Sequence, residues 1–275
     1  MKKFMELWIF EWNRAKRFYG FLLAFVTALQ AFAVFHEYHF WKNGYENYRQ
    51  QNYAALPEQY LQDYGYLTLE DVTNNSFFVF SIMTAIFALL FYAVFIWYQD
   101  WSGKNRFSFR LLSLPGNRFA VYAAKFATIW LLITGLQVWQ IGLLYLEELV
   151  FSGLIPADIY REIPLQMAST SASPLALALP SLFSNYLLFY TIGYTALTLG
   201  YTFILMHLSG RWKGVFLAAT LAIVLFAAML LFLRTGITTR LYAEEKYWMT
   251  IAVSLMLLLS GTWANYRLLE KRISV

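Results

Sequence analysis

Long apolar runs separated by short polar stretches dominate the pattern of this chain. Six of the runs are nearly free of charge and about twenty residues long, the length that an α-helix needs to cross about 30 Å of hydrocarbon. They lie near residues 18–36, 77–98, 121–146, 183–206, 214–233 and 248–265. The pattern therefore predicts six membrane-spanning helices.

The alternative of a membrane β-barrel needs alternating apolar and polar residues in segments of about ten. The runs here are continuously apolar, so we predict an all-α, polytopic membrane protein. Gln30 interrupts the first run, and His36 and Glu37 close it. One further apolar stretch, residues 174–180, is too short to span, and we interpret it as an interfacial or re-entrant piece shielded by protein.

Residues 2–19 have the pattern of an amphipathic helix. Met5, Trp8, Ile9 and Trp12 recur at helical spacing on one face, while Lys3 and Arg17 fall on another. Tryptophans opposite cations suit the membrane interface. We therefore expect an interfacial helix, with a turn at or just before Gly20 leading into the first span. The alternative is a positively charged anchor that only fixes topology.

Composition agrees with a membrane class and excludes some chemistry. Charged residues make up 13% of the 275 residues, and hydrophobic residues make up 60%. A soluble domain has about 25% charged residues. The chain has no cysteine, which excludes disulfides, thiolate catalysis and cysteine metal sites. Since no loop is long enough for a soluble domain, we expect residues 1–275 to form a single transmembrane domain.

The distribution of charge predicts the orientation. If the N-terminus, residues 99–120, residues 207–213 and the C-terminal tail share one side, that side has 15 of the 21 Lys and Arg residues when Lys125, just after the loop, is counted with it. Its only acids are Glu6, Glu11, Asp100 and Glu270. Cytoplasmic loops are enriched in Lys and Arg, so both termini are predicted to be cytoplasmic. The net charge of +5 is thus a topology signal, and we expect no nucleic-acid partner.

The loop at residues 99–120 is unusually long, basic and apolar for a connection between two spans. Four of its residues would share one face of a short helix that Pro115 and Gly116 would end: Phe107, Arg110, Leu111 and Leu114. Its three arginines, Arg106, Arg110 and Arg118, can meet acidic partners or lipid phosphates. We interpret the loop as a docking surface. The alternative is that its cations only enforce topology.

This arrangement resembles the permease subunits of ABC exporters, ABC-2 type. The resemblance lies in the amphipathic N-terminal helix, the six spans, the cytoplasmic termini and the sequence RLLSLPGNRFAVYAAKF after the second span. In that family the corresponding loop contains the coupling helix, which docks into a groove of an ATP-binding subunit. The resemblance assigns residues 104–118 to this role, and the matching positions are Arg110, Leu111, Leu112, Leu114, Pro115, Arg118 and Lys125.

The resemblance implies a non-enzymatic permease without a cofactor. Gly103-Lys104 is followed by Asn105 and lacks a phosphate-binding P-loop, so a separate cytoplasmic subunit would hydrolyse ATP. A second permease subunit, identical or different, would complete the translocation path, with membrane lipids around it. We expect a multi-pass protein of the plasma membrane, bacterial in origin. The alternative function is a non-transporting scaffold or sensor subunit of an ATPase complex.

Other candidate positions leave alternatives open. The aromatic and acidic outer loop, residues 37–76, either recognises an amphipathic or cationic substrate or consists of interfacial helices. Glu147 and Glu148 are expected at a solvated span end. His36 and His39 do not form an H-E-x-x-H motif, and we expect them to be exposed. Gly193 and Gly200 lie on nearly one helical face, which suits either a dimer contact or packing within the chain.

Overall fold

A computed structural model describes residues 2–51, 57–101, 118–164, 175–180, 185–207 and 242–271. These residues are mostly helical, and no β-strand occurs among them. The helices are α1 (Lys2–Gln51), α2 (Pro57–Tyr64), α3 (Leu69–Asn74), α4 (Ser76–Trp101), α5 (Phe119–Leu154), α6 (Leu175–Ala178), α7 (Asn185–His207) and α8 (Ala243–Lys271). The all-α class is confirmed over this part of the chain.

Five helices are long and apolar enough to cross a membrane: α1, α4, α5, α7 and α8. They contain or closely match five of the six predicted spans. The remaining predicted span, residues 214–233, lies outside the described residues, so the count of six stays a prediction.

Helix α1 differs from the predicted arrangement of its segment. It runs without a break through 50 residues from Lys2 to Gln51, which corresponds to about 75 Å at 1.5 Å per residue. The predicted turn at or just before Gly20 was therefore wrong, because residues 2–19 continue directly into the first span. The helix is also far longer than the hydrocarbon core of a bilayer.

The described residues belong to two compact units. The first unit is drawn from residues 1–12, 90–129 and 187–275, and the second from residues 13–89 and 130–186. Helices α1, α4 and α5 contribute residues to both units.

The second unit has a core built from six helices. Buried apolar side chains come from α1 (Trp41), α2 (Tyr60), α3 (Val72), α4 (Phe78) and α5 (Phe151). Leu175 of α6 is also buried in this core, and Ala178 and Leu179 pack against it, so the described part of the short apolar stretch contacts protein. Backbone hydrogen bonds between Leu67 and the 159–161 segment close the same region.

The core of the first unit is aromatic. The rings of Trp97 and Tyr201 meet edge to face at 5.4 Å between centroids, and Tyr122 contacts the same tyrosine at 5.9 Å. Edge-to-face pairs at this spacing add to the stabilisation that burial alone provides. They join α4, α5 and α7.

Large apolar side chains cover the outer faces of the long helices. Phe91 of α4 is 69% exposed and Leu149 of α5 is 70% exposed, and α8 presents Met256, Leu259 and Trp263 in the same way. In soluble proteins, large apolar side chains are mostly buried. These faces are suited to contact with lipid.

Candidate functional site: a buried ion cluster of three helices

A buried lysine joins three helices of the first unit. The Lys125 ammonium donates hydrogen bonds to Glu11 Oε1 at 2.6 Å, to Asp100 Oδ2 at 2.6 Å and to the Ile96 carbonyl oxygen at 2.8 Å. An ammonium has three N–H donors, and all three are used. The Lys125 side chain is 1% exposed, and both carboxylates are also buried. We call Lys125, Glu11 and Asp100 the ion cluster.

Local structure explains why a cation is accepted at this place. Asp100 is the penultimate residue of α4, and the Ile96 carbonyl lies one turn earlier, so Lys125 meets the C-terminal end of that helix. The C-terminal end of a helix has partial negative charge and favours cations. The Lys125 ammonium also lies 5.4 Å from the centroid of the Trp97 ring. Ammonium, carboxylates and aromatic ring together form a compact polar centre within the apolar unit.

The ion cluster corrects the sequence interpretation of Lys125. The sequence places Lys125 among the basic residues of the loop before the third span, and it places Glu11 and Asp100 among the few acids of the same side. In the structure the Lys125 ammonium lies between the two carboxylates, and all three side chains are buried inside the protein. Lys125 is thus a buried residue of α5 and is not available on the surface to a partner or to lipid phosphates.

A second contact holds the beginning of α5. The backbone N–H of Arg118 donates to Glu270 Oε1 at 3.1 Å, and Arg118 Nη1 lies 3.5 Å from the Leu269 carbonyl oxygen. The first N–H groups of a helix lack partners within the helix, so a carboxylate there is favourable. Phe119 packs edge to face on Tyr266 with 5.8 Å between ring centroids. The start of α5 is therefore attached to the end of α8.

These two contacts hold Asp100, four residues before the predicted coupling loop at residues 104–118, and Arg118, the last residue of that loop. Asp100 precedes residues 102–117 and is bound to α1 and α5 through Lys125. Arg118 follows them and is bound to α8. The ends of α4 and α7 also approach, since Tyr98 and His207 have ring centroids 6.2 Å apart.

The remaining predicted docking residues lie outside the described residues: Arg106, Phe107, Arg110, Leu111, Leu114 and Pro115. Of the predicted set, Arg118 alone falls within them. Its contacts are to α8 of the same chain. The docking role of residues 104–118 stays a prediction.

The predicted interfacial face of α1 is only partly exposed. Met5 and Ile9 are exposed, whereas Trp8 and Trp12 are half-buried. The rings of Phe4 and Trp8 stack at 6.4 Å. An interfacial location for residues 2–19 stays a prediction.

Helices α7 and α8 pack closely at Gly261, which is not one of the two glycines predicted to lie at a packing contact. A Cβ atom added at Gly261 of α8 would lie 3.0 Å from Thr198 Cγ2 of α7. No described atom lies within 4 Å of such a Cβ at Gly193 or Gly200. The described residues therefore offer no packing contact within the chain at these two positions, and the dimer contact stays a prediction. Nearby, Thr195 Oγ1 donates to the Ser254 carbonyl at 3.0 Å.

A buried polar centre in the second unit was missed by the hydropathy pattern. Gln30 and Gln140 exchange hydrogen bonds of 3.0 and 3.2 Å, and Gln30 Nε2 also lies 3.0 Å from Ser81 Oγ. The sequence marks Gln30 only as an interruption of an apolar run. In the structure it links α1, α4 and α5, which is a common role for amides in membrane helices.

The aromatic residues of the outer loop largely pack on each other. Tyr60 of α2 contacts Tyr45 and Tyr48 of α1 edge to face, at 5.0 and 5.4 Å between ring centroids. The Tyr48 hydroxyl donates to Asp63 Oδ2 at 2.6 Å. These side chains form part of the second unit's own packing. Tyr64 and Tyr66 remain exposed.

The two histidines are exposed as predicted, whereas Glu147 of the acidic pair is not. His36 and His39 are exposed, as expected, and Asn75 Nδ2 lies 3.1 Å from His36 Nδ1. The described residues contain no group of three His, Asp or Glu side chains placed to hold a metal ion. The expectation that Glu147 is solvated was wrong, because its side chain is buried. Glu148 is half-buried and accepts a 2.7 Å hydrogen bond from Tyr160.

Over the described residues, fold and site define a helical protein in which five helices are suited to a membrane and a buried ion cluster joins three of them. Comparison of the chain with protein-family models, with curated protein sequences and with solved structures finds no match.

Proposed function

We propose that this chain is the membrane-spanning permease subunit of an ATP-driven exporter of the ABC-2 type. Residues 104–118 would dock a separate cytoplasmic subunit that binds and hydrolyses ATP. A second permease subunit, a copy of this chain or a different one, would complete the path. The observation that best supports the proposal is the attachment to other helices of Asp100, which precedes this loop, and of Arg118, its last residue.

These contacts would allow a movement of the loop to be transmitted to the helices. A displacement of the loop would move Asp100 and Arg118, and the ion cluster would pass that movement to α1 and α5. The Glu270 contact would pass it to α8. A partner that binds differently to two arrangements of these helix ends would shift the population between them. This is what coupling to ATP hydrolysis requires of a permease.

The contacts also agree with the proposed orientation. Glu11, Asp100, Arg118 and Glu270 all belong to the side that the Lys and Arg distribution assigns to the cytoplasm. Glu11 and Asp100 meet through Lys125, and Arg118 contacts Glu270, with each contact lying within the first unit. Helix ends that share one face of a bilayer must be able to meet in this way.

Co-purification tests the docking role. The tagged chain, isolated from its native membranes in mild detergent, should bring with it ATP hydrolysis and the subunit responsible. Arg110→Glu should reduce the co-purified hydrolysis at least about tenfold, because reversing a charge at a docking surface replaces attraction by repulsion. Arg118 is a poor choice for this test, since its contacts with α8 would be disturbed as well.

Arg267→Glu provides the matched control. Arg267 is an exposed cation of α8 on the same predicted side, outside the loop, and its guanidinium stacks on Trp263 at 4.5 Å. This variant should retain the co-purified hydrolysis. Equal hydrolysis with Arg110→Glu and the wild type would contradict docking through the loop. An associated ATPase without ATP-dependent export in reconstituted vesicles would favour the scaffold or sensor alternative.

A further inference from the structure

Glu147 of α5 is an acidic residue on the inward, apolar face of its helix. Its side chain is only 6% exposed, although neighbouring Leu146, Leu149 and Val150 are exposed. Leu143 and Leu144, four and three positions before it, are buried, as is Phe151, four positions after it. Glu147 thus shares the inward face of α5 with side chains of the second unit's apolar core.

Neither carboxyl oxygen of Glu147 has a hydrogen-bond partner within the described structure. An ionised carboxylate in such surroundings loses its hydration without gaining a donor or a cation in return, which is strongly unfavourable. The neutral acid avoids most of that cost. The conformation described here is therefore compatible with a proton on Glu147 and disfavours its ionised form.

Among the described residues of the surrounding helices, the other titratable groups do not supply a counter-charge. Four acids have their own donors: Glu37 from Asn75, Asp63 from Tyr48, Asp71 from the Thr68 N–H and Glu148 from Tyr160. Lys42, Arg49 and Arg161 are exposed, as are His36, His39, Glu46, Asp158 and Glu162. No salt bridge among the described residues includes Glu147.

Tyr160 makes the contrast with the adjacent acid clear. Burial, together with the hydrogen bond to Glu148, raises the pKa of the Tyr160 hydroxyl above its ordinary value. Tyr160 therefore remains a protonated donor throughout the neutral range, and its hydroxyl donates to Glu148. Two consecutive glutamates are thus held in different surroundings, one with a donor and one without.

We propose that Glu147 is a proton-binding site, occupied while the second unit is closed around it. When the helices around Glu147 separate and water reaches the carboxyl, its O–H bond dissociates and the proton passes to water. Closure requires the reverse step. Proton binding and closure of the second unit are therefore linked. This inference does not rest on the proposed transport function, and either can fail without the other.

Infrared spectroscopy of the purified protein detects the bound proton directly. A protonated carboxylic acid has a C=O stretching band apart from carboxylate and amide bands, and the band shifts in heavy water. At neutral pH the wild type should show this band, Glu147→Gln should lack it, and Glu148→Gln should retain it. A wild-type spectrum without the band, or a band that Glu147→Gln leaves unchanged, would overturn the proposal.

Stability as a function of pH is the second readout. Unfolding exposes Glu147 to water, where glutamate ionises above about pH 4.3. The wild type should then lose stability relative to Glu147→Gln as the pH rises above that value, and the relative unfolding equilibrium constant should increase by up to about tenfold per pH unit. Below that pH the two proteins should differ by a constant amount. Parallel pH profiles for both proteins would also overturn the proposal.

Discussion

At the scale of single residues, the structure changes the interpretation of Lys125. The sequence predicts a surface cation at this position, and in the structure the side chain is buried. Lys125 lies 114 residues after Glu11 and 25 residues after Asp100. No local pattern connects positions so far apart, and each charge by itself has the properties of a topology signal. Their association depends on packing of α1, α4 and α5 against one another, which composition and periodicity do not encode.

The ion cluster leads to a prediction about Lys125. Lys125→Met leaves two buried carboxylates without their shared ammonium, and it should lower the free energy of unfolding by about 3–5 kcal/mol. Replacing all three charges, with Glu11→Met and Asp100→Leu added, should recover most of the loss, since no uncompensated charge then remains. Chemical unfolding in mixed micelles measures both variants.

Two outcomes would contradict this interpretation of the ion cluster. If Lys125→Met unfolds like the wild type, the cluster does not hold the three helices together. If the triple variant is as unstable as Lys125→Met alone, the loss does not come from uncompensated carboxylates.

The expectation that Glu147 is solvated was wrong for the same reason: the packing of helices decides which face of α5 is buried, and the local sequence does not encode it. Two adjacent acids at the end of an apolar run suggest a solvated helix end. The spacing of Glu147 from Leu144 and Phe151 was the available signal for a buried position. It was weak, because the leucines on the opposite face of α5 give the same apolar spacing. A membrane helix is apolar all round, so periodicity does not identify its inward face.

At the scale of helices, the hydropathy pattern predicted the positions of the long helices well. It predicted the residues at which they begin and end poorly. Apolar runs indicate segments that suit a hydrocarbon environment. Five of the predicted spans match long helices of the structure. A helix continues beyond the membrane wherever its backbone hydrogen bonds continue and packing supports it. Helix α1 therefore passes through the charged residues 2–17 and the polar residues 37–51, where the apolar signal is absent.

The Gln30–Gln140 pair provides a test of how α1 and α5 are joined. Gln30→Leu and Gln140→Leu should each destabilise the protein, because each leaves the partner amide buried without its donor and acceptor. A double-mutant cycle should give a coupling energy of about 0.6–1.7 kcal/mol, the range for polar contacts between membrane helices. Strictly additive losses would show that the two amides do not interact.

Gly261 provides a test of the contact between α7 and α8. Gly261→Val should cost about 1–3 kcal/mol, because the added methyl groups meet Thr198 and force the two helices apart. Gly200→Val is the matched control in α7, where the described structure leaves the space open. Thermal unfolding should separate the two variants. A larger loss with Gly200→Val in a monomeric preparation would contradict this packing.

At the scale of the whole molecule, the charge distribution makes the strongest prediction. The excess of Lys and Arg on one side was derived from the sequence alone, and the contacts among Glu11, Asp100, Arg118 and Glu270 are consistent with it. What could not be derived was the three-dimensional grouping of those residues, because each pair involves different helices.

The proposed orientation can be tested with single cysteines, since the chain has none of its own. A cysteine at Ser113 should not react with an external, membrane-impermeant thiol reagent in intact cells. A cysteine at Gln59, which is exposed in α2, should be labelled. The reverse pattern would invert the predicted topology and place the termini outside.

Site-specific photo-crosslinking in native membranes shows whether residues 104–118 contact an ATP-binding subunit. With the crosslinking amino acid at Ser113, we predict one major adduct to a protein that contains a P-loop and hydrolyses ATP. The same probe at Gln59 should give no such adduct. Absence of that adduct at Ser113, or equal yields from Ser113 and Gln59, would contradict the proposed coupling.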